Sequence, residues 1–245
     1  MDNTVSNNNT KTKPRKRSPQ EPLTLVYNPD SKYEICLDEV GRGPLFGRLY
    51  VAAVVLPRNG LFDSKDIKDS KKFSSKKKIK EVAAYIRENC LAYHIHYIEA
   101  NVIDDINILQ AVYRAMHECI RAIITKLGTH EGLSIIVDGD RFKPYCVFDN
   151  VSQTMIEIPS TTIEQGDAKY MGIAAASIIA KVAHDEYISE LCGEYPELNE
   201  RYGLEKNVGY GTKQHLDGIL KYGISQWHRK SYGRCNTAEV NMIMK

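Results

Sequence analysis

Residues 34–44 read EICLDEVGRGP. An apolar run ending at Leu37 meets two adjacent carboxylates, Asp38 and Glu39, and then a glycine-arginine-glycine turn. The run has the look of a strand leaving a protein interior. Burying charge without a partner is costly, so an acidic pair at such a strand end points either to a salt bridge or to a bound cation. Neighbouring strand residues face opposite sides, so the two acids share one site only where the strand twists or ends. The turn at Gly41 supplies that ending.

Outward from this stretch the chain reads as an α/β layer. LYVAAVVLP after the turn is apolar enough for a buried central strand, and LAYHIHYIEA (91–100) is a third strand. Three early strands with short links suggest an antiparallel meander. Between the second and third, SSKKKIKEVAAYIRENC sets Ile79, Val82, Ala83 and Ile86 at helical spacing, with Ser74 or Ser75 as N-cap. Residues 101–127 carry a longer amphipathic pattern, and LSIIVDGD is another strand ending in an acid, Asp138. A helix from Ile173 has a small-residue face, Ala174, Ala175, Ser177 and Ala180, fit for close packing on a sheet. TKQHLDGILKYG reads as a helix capped at Thr212 and closed at Gly223, followed by the basic aromatic segment WHRKSYGRC.

The totals fit one globular unit: 245 residues, 42% hydrophobic, net charge +2. Five basic residues against Asp2 and Glu21 in the first 22 positions leave the remainder at about −1, so any polyanion site is a local patch. That opening stretch is polar and rich in proline, and reads as a disordered tail whose KTKPRKR segment is a nuclear address, a weak nucleic-acid tether or a solvated run. None of the six cysteines falls in metal-ligand spacing and no secretory signal precedes them, so an intracellular, cytoplasmic protein with reduced thiols is expected. Apolar runs fall well short of the ~20 residues that span a bilayer, and no heptad pattern argues against a monomer.

Three apolar-to-acid transitions stand out: Asp38 with Glu39, Asp138, and Asp167 at a glycine turn before the alanine-rich helix. Carboxylates gathered at one sheet edge make an all-oxygen site suited to Mg²⁺ or Mn²⁺. Taken singly each acid is as readily a turn or cap residue.

The blocks DEVGRGPLFG (38–47), DSKKFS (69–74), VDGDRFKP (137–144), GDAKYMGIAAASIIAKVAHD (166–185), GYGTKQH (209–215) and HRKSY (228–232) together resemble ribonuclease HII, in that family's order. The resemblance implies a ribonuclease H-like core: an α/β fold with a five-stranded mixed sheet flanked by helices, plus a small C-terminal helical portion. It divides the chain into a basic tail (1–24), a catalytic core (25–192) and a substrate-contacting portion (193–245). The family's metal-binding acids fall on Asp38, Glu39, Asp138 and Asp167, which implies two Mg²⁺ or Mn²⁺ ions in catalysis and products with 3′-hydroxyl and 5′-phosphate ends.

The implied substrates are RNA–DNA hybrids and duplex DNA with embedded ribonucleotides. Gly41, Arg42 and Gly43 match the turn that reads the 2′-hydroxyl, and Tyr210 the tyrosine that stacks on the neighbouring sugar. Ser70, Lys71 and Lys72 match a block near the active site and are assigned to the phosphate backbone. His228, Arg229 and Lys230 form a second candidate phosphate surface. Val208 stands where the family often has lysine, Asp140 replaces a common asparagine, and the span from Asp138 to Asp167 is long, with FDNVSQTMIEIPSTTIE expected as a loop or hairpin. Another two-metal nuclease or recombinase on the same core, or a hybrid-binding module without catalysis, are the competing readings.

Overall fold

The computed structural model describes residues 22–60 and 62–244. In order, the chain forms β1 (Tyr33–Val40), β2 (Leu49–Val55), α1 (Lys76–Asn89), β3 (Ala92–Ile98), α2 (Ala100–Ile106), α3 (Ile108–Leu127) and β4 (Leu133–Asp138). A hairpin of β5 (Cys146–Asp149) and β6 (Thr154–Glu157) precedes β7 (Ser160–Ile163). Then come α4 (Met171–Glu194), α5 (Pro196–Tyr202), α6 (Leu204–Asn207) and α7 (Lys213–Tyr222).

The main sheet has the order β3-β2-β1-β4-β7, antiparallel on the β2 side of β1 and parallel on the β4 side. The expected meander of the first three strands is present, and the 148–164 span, expected as a loop or hairpin, holds most of the β5–β6 hairpin, which begins at Cys146, together with β7 of the main sheet. The fifth strand, β7, is four residues of mostly polar sequence, STTI, and has no alternation by which sequence reading could find it.

Strand periodicity assigns the two faces. Ile35, Leu37, Val51, Ala53, Ile135 and Val137 point to one core, closed by Ala111, Ala115, Met116 and Ile120 of α3. Ala52 and Val54 point to the other, closed by Ile79, Val82 and Ile86 of α1 and by α4. α4 is buried on nearly every side, which explains its small residues: a Cβ on Gly172 would stand 2.4 Å from Cys36 Sγ and 2.9 Å from Cys36 Cβ. Gly172→Ala is expected to destabilise the protein by about 1–3 kcal/mol through overpacking, read as a lowered urea midpoint at unchanged m-value.

Ser75 caps α1 and Thr212 caps α7, each accepting from the backbone N–H three residues on, and Gly223 follows α7 as expected. The pattern over 101–127 is not one helix. Asn107, at φ 63°, ends α2 and caps α3 by accepting from Leu109 N and Gln110 N. Residues 1–21 of the expected tail lie outside the described residues. Within 22–24, Thr24 is bridged to Tyr170, its N–H donating to Lys169 O at 2.8 Å, so the anchored chain begins before residue 25.

Around α5–α7, Tyr202, Leu204, Ile219 and Ile224 pack with Phe46, Tyr187 and Ile188 in a third cluster. It joins the last quarter of the chain to the turn after β1. Among the described residues no helix is long and apolar enough to cross a membrane.

Candidate active site

The parallel register pairs Leu37 with Val137, both facing the α3 core. Asp38 and Asp138, the next residue on each strand, therefore leave the sheet side by side on the α4 face. Asp167 arrives on a single 3-10 turn (Gly166–Ala168) just before α4, and Asp138 Oδ1 ties the two acidic segments by accepting Gly166 N–H at 2.6 Å. Glu39 follows Asp38, one residue before β1 ends at Val40, and lines the same cleft. Four carboxylates from three separated segments thus gather at one end of the sheet.

Their electrostatics record that crowding. Burial, then the charges of Glu39, Asp138 and Asp167, hold the Asp38 carboxyl well above the usual range, although a hydrogen bond from Ser177 opposes this. Burial and the Asp167 charge also raise Asp138. Glu39 is raised by burial and Asp138 against the pull of Arg42, whose Nη1 lies 3.2 Å from Glu39 Oε1. Lys71 Nζ stands 3.5 Å from Asp167 Oδ2, and its ammonium is favoured by Asp167, Asp69 and Asp38 although desolvation opposes it.

A cleft of about 290 Å³ opens over Asp38, Glu39 and Asp138. Gly41, Arg42 and Gly43 form one rim and Val208 with Tyr210 the other. Gly41 has φ +95°, and a Cβ there would stand 2.9 Å from Arg48 O, so the turn is closed to other residues. A Cβ on Gly43 would stand 3.5 Å from Tyr210 Cε1, so the half-exposed tyrosine ring faces bare backbone across the opening. Val208 is a β-branched residue in left-handed conformation (φ 45°), local strain on the rim itself.

Ser70 and Lys71 also line the cleft, with Ser70 Oγ buried 3.0 Å from Ser177 Oγ. Lys72 lies beside it on the same 3-10 turn, 3.7 Å from Asp69. The structure corrects the placement of Arg229 and His228. Neither offers a phosphate-binding surface, because both are buried, at 0% and 1% exposure. The Arg229 guanidinium donates to the carbonyls of Gly41 (2.6 Å), Arg42 (3.1 Å) and Gly47 (3.0 Å), holding the glycine turn from beneath.

Sequence reading missed the α4 wall of the cleft, Ser177, Lys181, His184 and Asp185. The signal was available: these positions recur at helical spacing as a polar stripe on an otherwise apolar helix. Lys181 Nζ lies 2.9 Å from Asp185 Oδ2 and His184 Nδ1 3.2 Å from Asp185 Oδ1, while His184 Nε2 is buried with no hydrogen-bond partner among the described residues.

The ribonuclease HII family model matches residues 35–235, a span that includes the acids and both rims of the cleft. The chain belongs to the ribonuclease HII family. A ribonuclease HII from Parabacteroides distasonis is 38% identical over 210 residues, covering 86% of this chain and 94% of the relative. One from Staphylococcus saprophyticus is 41% identical over 209 residues, covering 85% and 72%. The solved ribonuclease H2 of Pyrococcus horikoshii superposes with a TM-score of 0.58 at 22% identity, covering 84% of this chain and 96% of that one, a likeness of fold. As a member of the ribonuclease HII family the chain is an endonuclease, a divalent-metal-dependent hydrolase with ribonuclease H activity on RNA–DNA hybrids. This sets aside the hybrid-binding module without catalysis.

Behind the rim, His215 and His228 are buried together, and burial lowers both, His228 to about 3. A histidine held neutral in the fold but protonated when unfolded contributes stability that is complete above the unfolded value, near 6.5, and is lost as pH falls toward the folded one. Below pH 6.5 the loss from His228 approaches about 1.4 kcal/mol per pH unit. Because the raised carboxyls of Asp38, Glu39 and Asp138 act in the opposite sense as pH falls, the expected result is a difference: between pH 7 and pH 5 the wild-type urea midpoint falls relative to that of His228→Gln.

Proposed function

We propose that this ribonuclease nicks duplex DNA on the 5′ side of embedded ribonucleotides, as well as cutting the RNA strand of hybrids, and leaves 3′-hydroxyl and 5′-phosphate ends. The observation that carries the reading is the cleft itself: clustered acids on its floor, with a glycine turn and a tyrosine ring facing each other above them. The floor is suited to phosphate chemistry and the rims to reading a sugar.

The acids pass the chemical test for a divalent cation. They are hard oxygen donors, mutually repelling and partly desolvated, a condition that a cation relieves. Among the described residues no three His, Cys, Asp or Glu side chains stand grouped so as to hold a metal ion. Asp38, Glu39, Asp138 and Asp167 would hold two Mg²⁺ or Mn²⁺ ions together with substrate oxygens. When bound, such ions supply Lewis acidity at the scissile phosphate and favour water as its nucleophile.

The remaining roles belong to the chain itself. Gly41 and Gly43 let the main chain approach a 2′-hydroxyl, the group that separates RNA from DNA, and Arg42 stands over them. Tyr210 offers a flat face to the adjoining deoxyribose. Ser70, Lys71 and Lys72 contact the phosphate backbone, so affinity falls with salt. Residues 22–192 act as the catalytic core and 193–245 as the substrate-contacting portion of a monomeric cytoplasmic enzyme, preceded by the basic stretch 1–21.

The test is a labelled duplex with one ribonucleotide, incubated with Mg²⁺ or Mn²⁺ beside an all-DNA duplex and an Asp138→Asn control. Nicking immediately 5′ of the ribonucleotide, absent from both controls and abolished by EDTA, is expected. Cleavage of long hybrids without cleavage at the lone ribonucleotide would overturn the junction reading.

A further inference from the structure

The segment 225–232 runs beside the turn after β1, with Arg229 N–H donating to Leu45 O at 2.8 Å and Gly47 N–H to Trp227 O at 2.9 Å. His228 stands at an isolated antiparallel bridge to Phe46, between the turn closed by His228 N–H to Ser225 O (3.1 Å) and the turn closed by Tyr232 N–H to Arg229 O (3.0 Å), and the side chains of His228 and Arg229 diverge there. Arg229 goes to the carbonyls of the glycine turn. His228 goes toward α7, where its Nε2 lies 3.0 Å from His215 Nε2, between the rings of Phe46 and Tyr202.

Main-chain groups at both ends fix the direction of this chain of hydrogen bonds. Ser225 N–H can only donate, so His228 Nδ1 accepts it, at 2.9 Å. The proton of a neutral His228 is then on Nε2 and is donated to His215 Nε2. That leaves the His215 proton on Nδ1, which donates to Tyr210 O at 3.0 Å. Among the described residues the same carbonyl otherwise receives Thr212 N–H, at 2.8 Å within its own turn. Tyr210 is thus tied through two buried rings to the segment that also grips the opposite rim.

We propose that His215 and His228 are positioning residues that fix the Tyr210 main chain, and with it the ring facing Gly43, while Arg229 fixes Gly41 and Arg42. One short turn-forming segment then sets the width of the cleft between its two rims. The inference rests on the reading of Tyr210 and the glycine turn as the ribose-reading pair, and assigns what holds that pair in register.

Nicking at a lone ribonucleotide is compared with cleavage of a long RNA–DNA hybrid, in Mg²⁺ or Mn²⁺, for wild type, His215→Leu, His215→Asn, Tyr210→Ala and the Tyr210→Ala/His215→Leu double variant. His215→Leu is expected to lower the junction-to-hybrid ratio about tenfold, and His215→Asn to restore most of it, because its Nδ2 takes the place of Nδ1. In the Tyr210→Ala background the same leucine is expected to change the ratio less than about twofold. A folded His215→Leu protein with the wild-type ratio, or a full further fall in the double variant, overturns the relay. A wild-type ratio in Tyr210→Ala alone instead overturns the underlying reading of Tyr210. Imidazole ¹⁵N spectra of the unaltered protein test the relay even if the leucine variant fails to fold: a proton on His215 Nδ1 and on His228 Nε2 is expected, and the opposite tautomers would overturn it.

Discussion

Asp38→Asn is expected to lower cleavage of an RNA–DNA hybrid by about a thousandfold or more, corresponding to several kcal/mol of lost transition-state stabilisation at a metal-assisted centre. The same substitution is expected to raise the metal-free melting temperature by about 2–4 °C, the shift that about 1 kcal/mol brings in a chain of this size. Asparagine is isosteric with aspartate. Its Oδ1 can still accept the Glu39 N–H that Asp38 Oδ1 accepts at 2.7 Å, and its Nδ2 can donate to the Ser177 hydroxyl. What disappears is a buried charge facing three others. A carboxylate held above its ordinary value costs stability at neutral pH, so neutralising it repays the fold while removing the function. Cleavage within tenfold of wild type, or a lower melting temperature measured in EDTA, would contradict both the role and its electrostatic basis.

Arg229→Met carries the second large effect, on stability. The guanidinium is wholly buried and satisfies three main-chain carbonyls. Methionine fills part of the volume but donates nothing, and each carbonyl left dry costs about 1–3 kcal/mol, reduced where the turn relaxes to find water. A loss of roughly 3–5 kcal/mol is expected from urea unfolding. The glycine turn should loosen with it, so hybrid cleavage falls under conditions where the variant is still fully folded. If Arg229 instead contacted phosphate, the variant would retain its stability and show a shallower dependence of binding on salt.

That contrast shows where sequence reading stopped. The acids at Asp38, two residues before β1 ends, and at Asp138, where β4 ends, were legible because an apolar run breaks there, and the caps at Ser75 and Thr212 because local side-chain chemistry determines them. Three-dimensional neighbours far apart in the chain were not. HRKSY carries three cationic or titratable residues in a row, which reads as surface, yet the partners that draw Arg229 inward are carbonyls more than 180 positions earlier. β7 was hidden for a similar reason: its four residues are a strand because the edge of β4 accepts them. Asn107 was legible in principle, since an asparagine before an apolar run is a capping signal, but continuous periodicity on both sides masked the break.

The clasp between 41–47 and 225–232 also orders events during synthesis. Domains form from the amino-terminal side as the chain leaves the ribosome at about 5–20 residues per second. All four acids have been made by residue 167, whereas the guanidinium and imidazole that brace the two rims come some sixty positions later. A chain made through α4, to Glu194, carries the acids and their α4 wall but neither Tyr210 nor the clasp, so the rims are the last part of the cleft to be completed.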